Sequence, residues 1–336
     1  MINHPLDRHL GLAPGAEFDL IRRFVPRAPA AARADVRVGP GDDCAVVAGN
    51  GIVLSTDMSV EGTHFRRDWL SLREIGYRAG AAALSDLAAV AARPIGVLVS
   101  LALPEGDAGD PAVELMSGVR EAAESVGATV LGGDVTRSPA LVIDVTVVGE
   151  AAHPVLRSGA QRADEVWVTG SLGASAAAVD RLLRGERTPA AARERFARPT
   201  PRVREALWLR ERGLPRAMVD LSDGLAGDAA HIATASGVAV LLSQELIPVH
   251  PVVHEMTSSP EEALRFAMAG GEDYELCFTA AVGSVEPHCL AFERDLGTRL
   301  TCVGRIGGGD GVWWSDPLGH RTPLELRAFQ HFSEGA

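Results

Sequence analysis

Acidic residues recur along this 336-residue chain in settings that would strip them of water. Asp42-Asp43 follow the turn Gly39-Pro40-Gly41, and Ser55-Thr56-Asp57 close the run 52–54, which reads as a strand. Asp86 sits in LSDLAAVAA, Asp134 in LGGDVTR, Asp220 and Asp223 in VDLSDGL, and Glu272-Asp273 in AGGEDYEL. A carboxylate among Ala, Gly and aliphatic neighbours pays heavily for its lost hydration, or takes up a proton, unless something positive pairs with it. Carboxylates beside hydroxyls at strand ends are also the hard oxygen donors that Mg²⁺ accepts, usually together with phosphate. Ordinary readings exist: Asp42-Asp43 as a solvated turn, Asp223 as the N-cap of the helix after it. The recurrence of the pattern favours metal.

The cations narrow the chemistry. Lys and Arg total 32 against 44 Asp and Glu, a net charge of -12, the reverse of a basic nucleic-acid-binding surface. Not one of the 32 is lysine. That removes a P-loop GxxxxGK, the strand lysine of protein kinases and Schiff-base catalysis, so phosphate must be met by Arg, backbone amides or metal. Cys44, Cys277, Cys289 and Cys302 form no CxxC pair, and the opening MINHPLDRHLGLAPG carries no secretory leader, so reduced thiols in the cytoplasm are expected. The longest apolar run, 95–103 with Ser100 inside it, is too short to span a bilayer, and no membrane partner is expected.

The positioning elements follow from periodicity. Residues 17–24 have helical spacing and lead into the acidic turn. Residues 71–92 read as a long helix with Ser71 and Glu74 spaced as a capping box and Asp86 on its small-residue face. A buried strand is expected over 95–103, ended by Pro104, then a helix over 111–126, a strand 128–131 stopping at Gly132-Gly133-Asp134, and a strand 141–148. Periodicity is lost around 150–154, which places a boundary between domains 1–152 and 153–336. Beyond it come a strand 166–169, the turn Gly170 to Gly173 and a helix 174–183, a strand–turn–helix able to offer amides to phosphate or to be a plain connection. The Arg-rich stretch 184–200 reads as loop and short helix, followed by strand 218–221, helix 225–235, helix 263–269, strand 274–279 and a GVWW strand. Strands alternating with helices indicate an α/β or layered α+β fold with the acids at strand ends and loops.

In order, GDDCAVV, STDMSVEGTHF, LSDLAAV, GGDVTR, LRSGA, DLSDGL and GGEDYELCF resemble the thiamine-monophosphate kinases of the AIR synthase-related family, from Glu17 to Phe332. The resemblance implies transfer of the γ-phosphoryl group of ATP to thiamine monophosphate. It also implies a homodimer, with an N-terminal α/β domain at the dimer interface and a C-terminal α/β domain closing over the nucleotide. Carried over by position, it implies Asp43, Ser55, Thr56, Asp57, Asp86, Asp134, Asp220 and Asp223 as Mg²⁺ ligands. Gly133, Asp134, Arg157 and Ser222 would meet ATP, and His64, Glu272 and Phe329 the thiamine phosphate. One departure is Glu124-Ser125-Val126, where many relatives carry an aromatic residue that touches the nucleotide. Other readings are an amide-forming ATPase or selenophosphate synthetase of the same fold, the latter requiring a Lys that is absent, or a non-catalytic nucleotide- or metal-binding protein.

Overall fold

The computed structural model describes residues 36–38, 44–47, 51–316 and 318–324. The expected helix over 17–24, Asp42-Asp43 and Phe329 lie outside the described residues. The first sheet comprises β1 (Val36–Val38), β2 (Ala45–Val47), β3 (Ile52–Val60), β4 (Arg93–Leu103), β5 (Thr129–Arg137) and β6 (Val142–Glu150), in the order β1-β2-β3-β6-β4-β5. Helix α1 (Leu72–Ala89) joins β3 to β4, and α2 (Asp110–Ser125) is the crossover that lets β4 and β5 run parallel.

Two strands outrun their sequence signals. β3 continues through Ser55-Thr56-Asp57 to Val60 because β6 pairs with it from Ile52↔Glu150 to Val60↔Val142. β5 continues through Gly132-Gly133-Asp134 to Arg137, held by β4. Long-range pairing overrides the poor strand propensity of Asp and Gly. Gly133 has φ 155°, and a Cβ there would lie 1.8 Å from the Val99 carbonyl oxygen, so only glycine fits.

The strand expected to be buried is buried on one face only. Val97, Val99 and Leu101 lie in the core, whereas Leu98 is 40 % exposed on the opposite face, as are Met58 (54 %) and Leu131 (50 %).

The second sheet comprises β7 (Glu165–Thr169), β8 (Ala217–Asp220), β9 (Ala239–Leu242), β10 (Leu276–Ala280), β11 (Leu300–Gly307), β12 (Val312–Ser315) and β13 (Arg321–Pro323), in the order β13-β12-β9-β11-β7-β10-β8. The strands at the β8 end of this sheet are covered on both faces: β8 and β10 are buried throughout. The helices of this half are α3 (Ala174–Leu183), α4 (Ala190–Ala197), α5 (Val203–Glu211), α6 (Leu225–Ser236), α7 (Pro251–Met256), α8 (Pro260–Ala269) and α9 (Cys289–Leu296).

α1 belongs to both halves. It starts at the expected Ser71–Glu74 capping box, and 14 of its 18 residues are buried, as befits a helix apolar nearly all round. Against α2 it packs backbone to backbone: a Cβ on Gly76 would fall 1.9 Å from the Leu115 carbonyl oxygen. Its other flanks share cores with residues of α3, α4 and α7, and with Trp167 and Val203. Glu74 is also gripped by Arg193 of α4, at 2.7 and 2.9 Å. No described helix is long and apolar enough to cross a membrane, and all four cysteines are free thiols.

Candidate active site

Two successive residues of α1 reach opposite halves of the chain. Ser85 Oγ donates to Asp220 Oδ2 at 2.7 Å at the end of β8, while Asp86 Oδ2 accepts from Ser55 Oγ at 2.6 Å on β3. Alternation along β3 puts Ser55 and Asp57 on the helix side and Thr56 on the open face, where its hydroxyl donates to Asp144 Oδ1 at 2.9 Å.

Between the halves lies a cavity of about 600 Å³. The polar part of its lining includes Asp57, His64, Ser222, Asp223 and Glu272; the apolar part includes Trp69, Val179, Phe196 and Phe266. His64 Nδ1 accepts the Val60 amide proton at 3.0 Å, which leaves the ring proton on Nε2 as a donor. Tyr274 also lines the cavity. Burial pushes its phenol well above the ordinary value, Arg78 opposes this, and the charges of Glu272, Asp57 and Asp220 add to it.

The loop 270–275 sets three acids in three environments. Glu272 and Tyr274 have φ of 60° and 50°, left-handed values that cost a residue with a β-carbon about 1–2 kcal/mol each. They are held there by bonds from Glu272 N to Ser222 O (2.7 Å) and from Tyr274 N to Leu221 O (2.8 Å). Glu272 itself is paired with Arg78 of α1. Asp273, pushed up to about 7 by burial, accepts the Gly173 amide at 3.0 and 2.8 Å. That amide of the Gly170 to Gly173 turn is therefore committed to protein rather than held open for phosphate. Glu275 is fully buried; burial raises its carboxyl, but the charges of Arg202 and Arg195 outweigh burial and hold it below the usual range.

Asp223 does not cap α6, whose N-cap is Gly224 with no side-chain capping bond. Instead its amide donates to the buried Asp228 carboxylate at 3.1 Å. Burial, then the charges of Asp223 and Asp220, push Asp228 well above its ordinary value, with Arg157 opposing. The Arg157 main-chain carbonyl accepts from Ser236 Oγ at 3.2 Å.

Asp57, His64, Ser222, Asp223 and Glu272 thus share one cavity, and Asp86 and Asp220 are tied to its neighbourhood through α1. Gly133 and Asp134 stand apart on the edge strand β5, three strand spacings or about 14 Å from β3. Among the described residues, no three His, Cys, Asp or Glu side chains form a ready metal cage. Ser125 turns its hydroxyl back to the Ala122 carbonyl at 2.7 Å. Sequence reasoning passed over Arg78, Asp228, Trp69, Phe196 and Tyr274. For Arg78, in IGYRAGAAALSD, and Asp228, in LAGDAAHI, the signal was present: a charge inside an apolar run, the feature that singled out Asp86.

Comparison with known proteins places these features in company. The sequence profile of the AIR synthase related protein N-terminal domain matches residues 41–151, and that of the C-terminal domain matches residues 162–312. The thiamine-monophosphate kinase of Rhodopirellula baltica is 36 % identical over 290 residues, 83 % of this chain and 86 % of that protein. That of Escherichia coli (strain K12) is 33 % identical over 329 residues, 94 % and 98 % of the two chains. Among solved structures, AaThiL complexed with AMPPCP and TMP is similar with a TM-score of 0.79 and 30 % identity, covering 94 % of this chain and 96 % of that one.

Proposed function

The chain belongs to the AIR synthase-related family, on its thiamine-monophosphate kinase branch, and on that premise we propose that it moves the γ-phosphoryl group of ATP onto thiamine monophosphate, giving thiamine diphosphate and ADP. The observation that carries this reading is the cavity between the halves. Its aromatic and aliphatic lining suits the two rings of the acceptor, its acids, hydroxyl and imidazole suit phosphate chemistry, and about 600 Å³ is the size of a small-molecule site.

An acceptor phosphate oxygen, already ionised at neutral pH, attacks the γ-phosphorus; one O–P bond forms as the bond to the bridging oxygen of ADP breaks. No side chain has to remove a proton, so no general base is assigned. Transfer is direct, because the chain has no lysine and no motif pairs Ser or Cys with His as an activated nucleophile. His64 donates Nε2–H to the acceptor phosphate, and Glu272 and Phe329 complete the acceptor contacts. Gly133, Asp134, Arg157 and Ser222 hold ATP.

Two like unit charges 4 Å apart repel by roughly 4 kcal/mol at an effective dielectric of 20, and each partner here carries several. Several Mg²⁺ ions held by Asp43, Ser55, Thr56, Asp57, Asp86, Asp134, Asp220 and Asp223 would supply the neutralising charge. The donors fit magnesium in kind, being hard oxygens, and several ions, each bound through one or two carboxylates plus substrate phosphate, would use donors as far apart as Asp57 and Asp134.

The open, partly apolar face of the first sheet supports a homodimer in which a second copy covers Met58, Leu98 and Leu131. Domains 1–152 and 153–336, a cytoplasmic setting and the absence of a nucleic-acid partner complete the reading, the last supported by the net charge of -12. The test is turnover with Mg-ATP. Thiamine monophosphate should yield thiamine diphosphate while unphosphorylated thiamine stays untouched; equal or faster use of thiamine refutes the assignment.

A further inference from the structure

Arg78 is a buried cation whose side-chain bonds, among the described residues, all reach the other half of the chain. One guanidinium nitrogen donates to the Phe196 carbonyl at 2.7 Å, another donates to Glu272 Oε1, and the guanidinium carbon lies 4.4 Å from the centroid of the Phe196 ring. Only 6 % of the Arg78 side chain is exposed, against 28 % for Glu272. Phe196 and Glu272 both line the cavity, one in its apolar and one in its polar part. Arg78 therefore ties the two kinds of lining to a single rigid point on α1. Among the described residues Glu272 makes no other side-chain bond, so the pairing leaves Oε2 for a ligand, on a loop whose backbone is held in left-handed values at Glu272 and Tyr274.

We infer that Arg78 is the positioning residue of the acceptor site, acting through Glu272 and Phe196 to keep the carboxylate and the ring at a fixed separation. This rests on the reading of the cavity as the site for a phosphorylated two-ring cation. The planar fork is essential to the role, because a lysine carries the charge but cannot lie along the ring while bonding the carbonyl and the carboxylate together.

Arg78→Lys is the decisive variant, with Arg78→Met beside it. Arg78→Lys should raise KM for thiamine monophosphate about tenfold and leave KM for ATP within about twofold, with kcat changed less than the acceptor KM. In a Glu272→Gln background the same substitution should add little further loss, since the two residues act as one unit. Hydrogen exchange of the substrate-free protein should quicken at the Glu272 and Tyr274 amides in both variants and stay unchanged along β10. Equal rises in both KM values, full additivity with Glu272→Gln, or unchanged exchange at those two amides would each overturn the inference. Wild-type protein that fails to phosphorylate thiamine monophosphate would refute the proposed function instead, and the exchange measurement would still decide whether Arg78 sets the loop.

Discussion

Glu275 and Asp228 are both buried acids in the second half of the chain, and they have been given opposite company. Glu275 is bonded by Arg202 at 2.7 and 2.6 Å, by Arg195 at 2.5 Å and by Thr169 at 2.7 Å. Asp228 accepts a main-chain amide, and burial first, then the charges of Asp223 and Asp220 beside it, drive its proton affinity up. Where the fold has to be held, arginines surround a carboxylate; where the cavity opens, carboxylates crowd one another. The difference separates a carboxylate neutralised by arginines from one whose burial and acidic neighbours favour its protonated form.

That contrast can be broken most severely at Glu275. Glu275→Gln leaves two arginines facing a neutral amide and should cost about 3–5 kcal/mol of stability, read as a large drop in Tm. A loss below about 1 kcal/mol would put Glu275 in the same class as Asp228. Asp57→Asn, in the cavity, should do the reverse. We expect kcat to fall on the order of 10²–10³-fold with Tm unchanged or raised, because a like charge is removed. Lost stability with intact kcat would make Asp57 part of the scaffold.

The smallest effect tests the case between them, Asp273. Its folded value of about 7 lies above the ordinary 3.8, so between those values the folded protein keeps a proton that the unfolded chain releases. Asp273 therefore costs stability progressively as pH rises through that window, and the cost levels off above it. Asp273→Asn should gain in Tm relative to wild type between about pH 4 and about pH 8. A constant difference across that range would show that the amide bonds from Gly173 outweigh burial.

Much of this was legible in the sequence. The Ser71–Glu74 box announces α1, and Asp57, Ser222, Asp223 and Glu272, named from their motifs, line one cavity. What was not legible depends on distant pairing. Nothing local tells that Ser55-Thr56-Asp57 lies mid-strand, since that is decided by residues 142–150. The half-exposure of β4 was hidden because a run of apolar residues reads the same whether its second face is covered by protein or left open. The charge of Arg78 inside an apolar run was legible, but its partners were not, because Phe196 and Glu272 come 118 and 194 residues later.

Those separations matter during synthesis as well. The first sheet can close once residue 150 has emerged, but the flank of α1 that carries Arg78 waits for the loop 270–275. At ribosomal rates of 5–20 residues per second, the roughly 125 residues between them take about 6–25 s to appear. For that interval the flank of Arg78, with Ile75, Ala81 and Ala82 beside it, lacks its last partner and is covered only in part once Phe196 has emerged. The two bonds of its guanidinium become available in chain order, the Phe196 carbonyl first and the Glu272 carboxylate last.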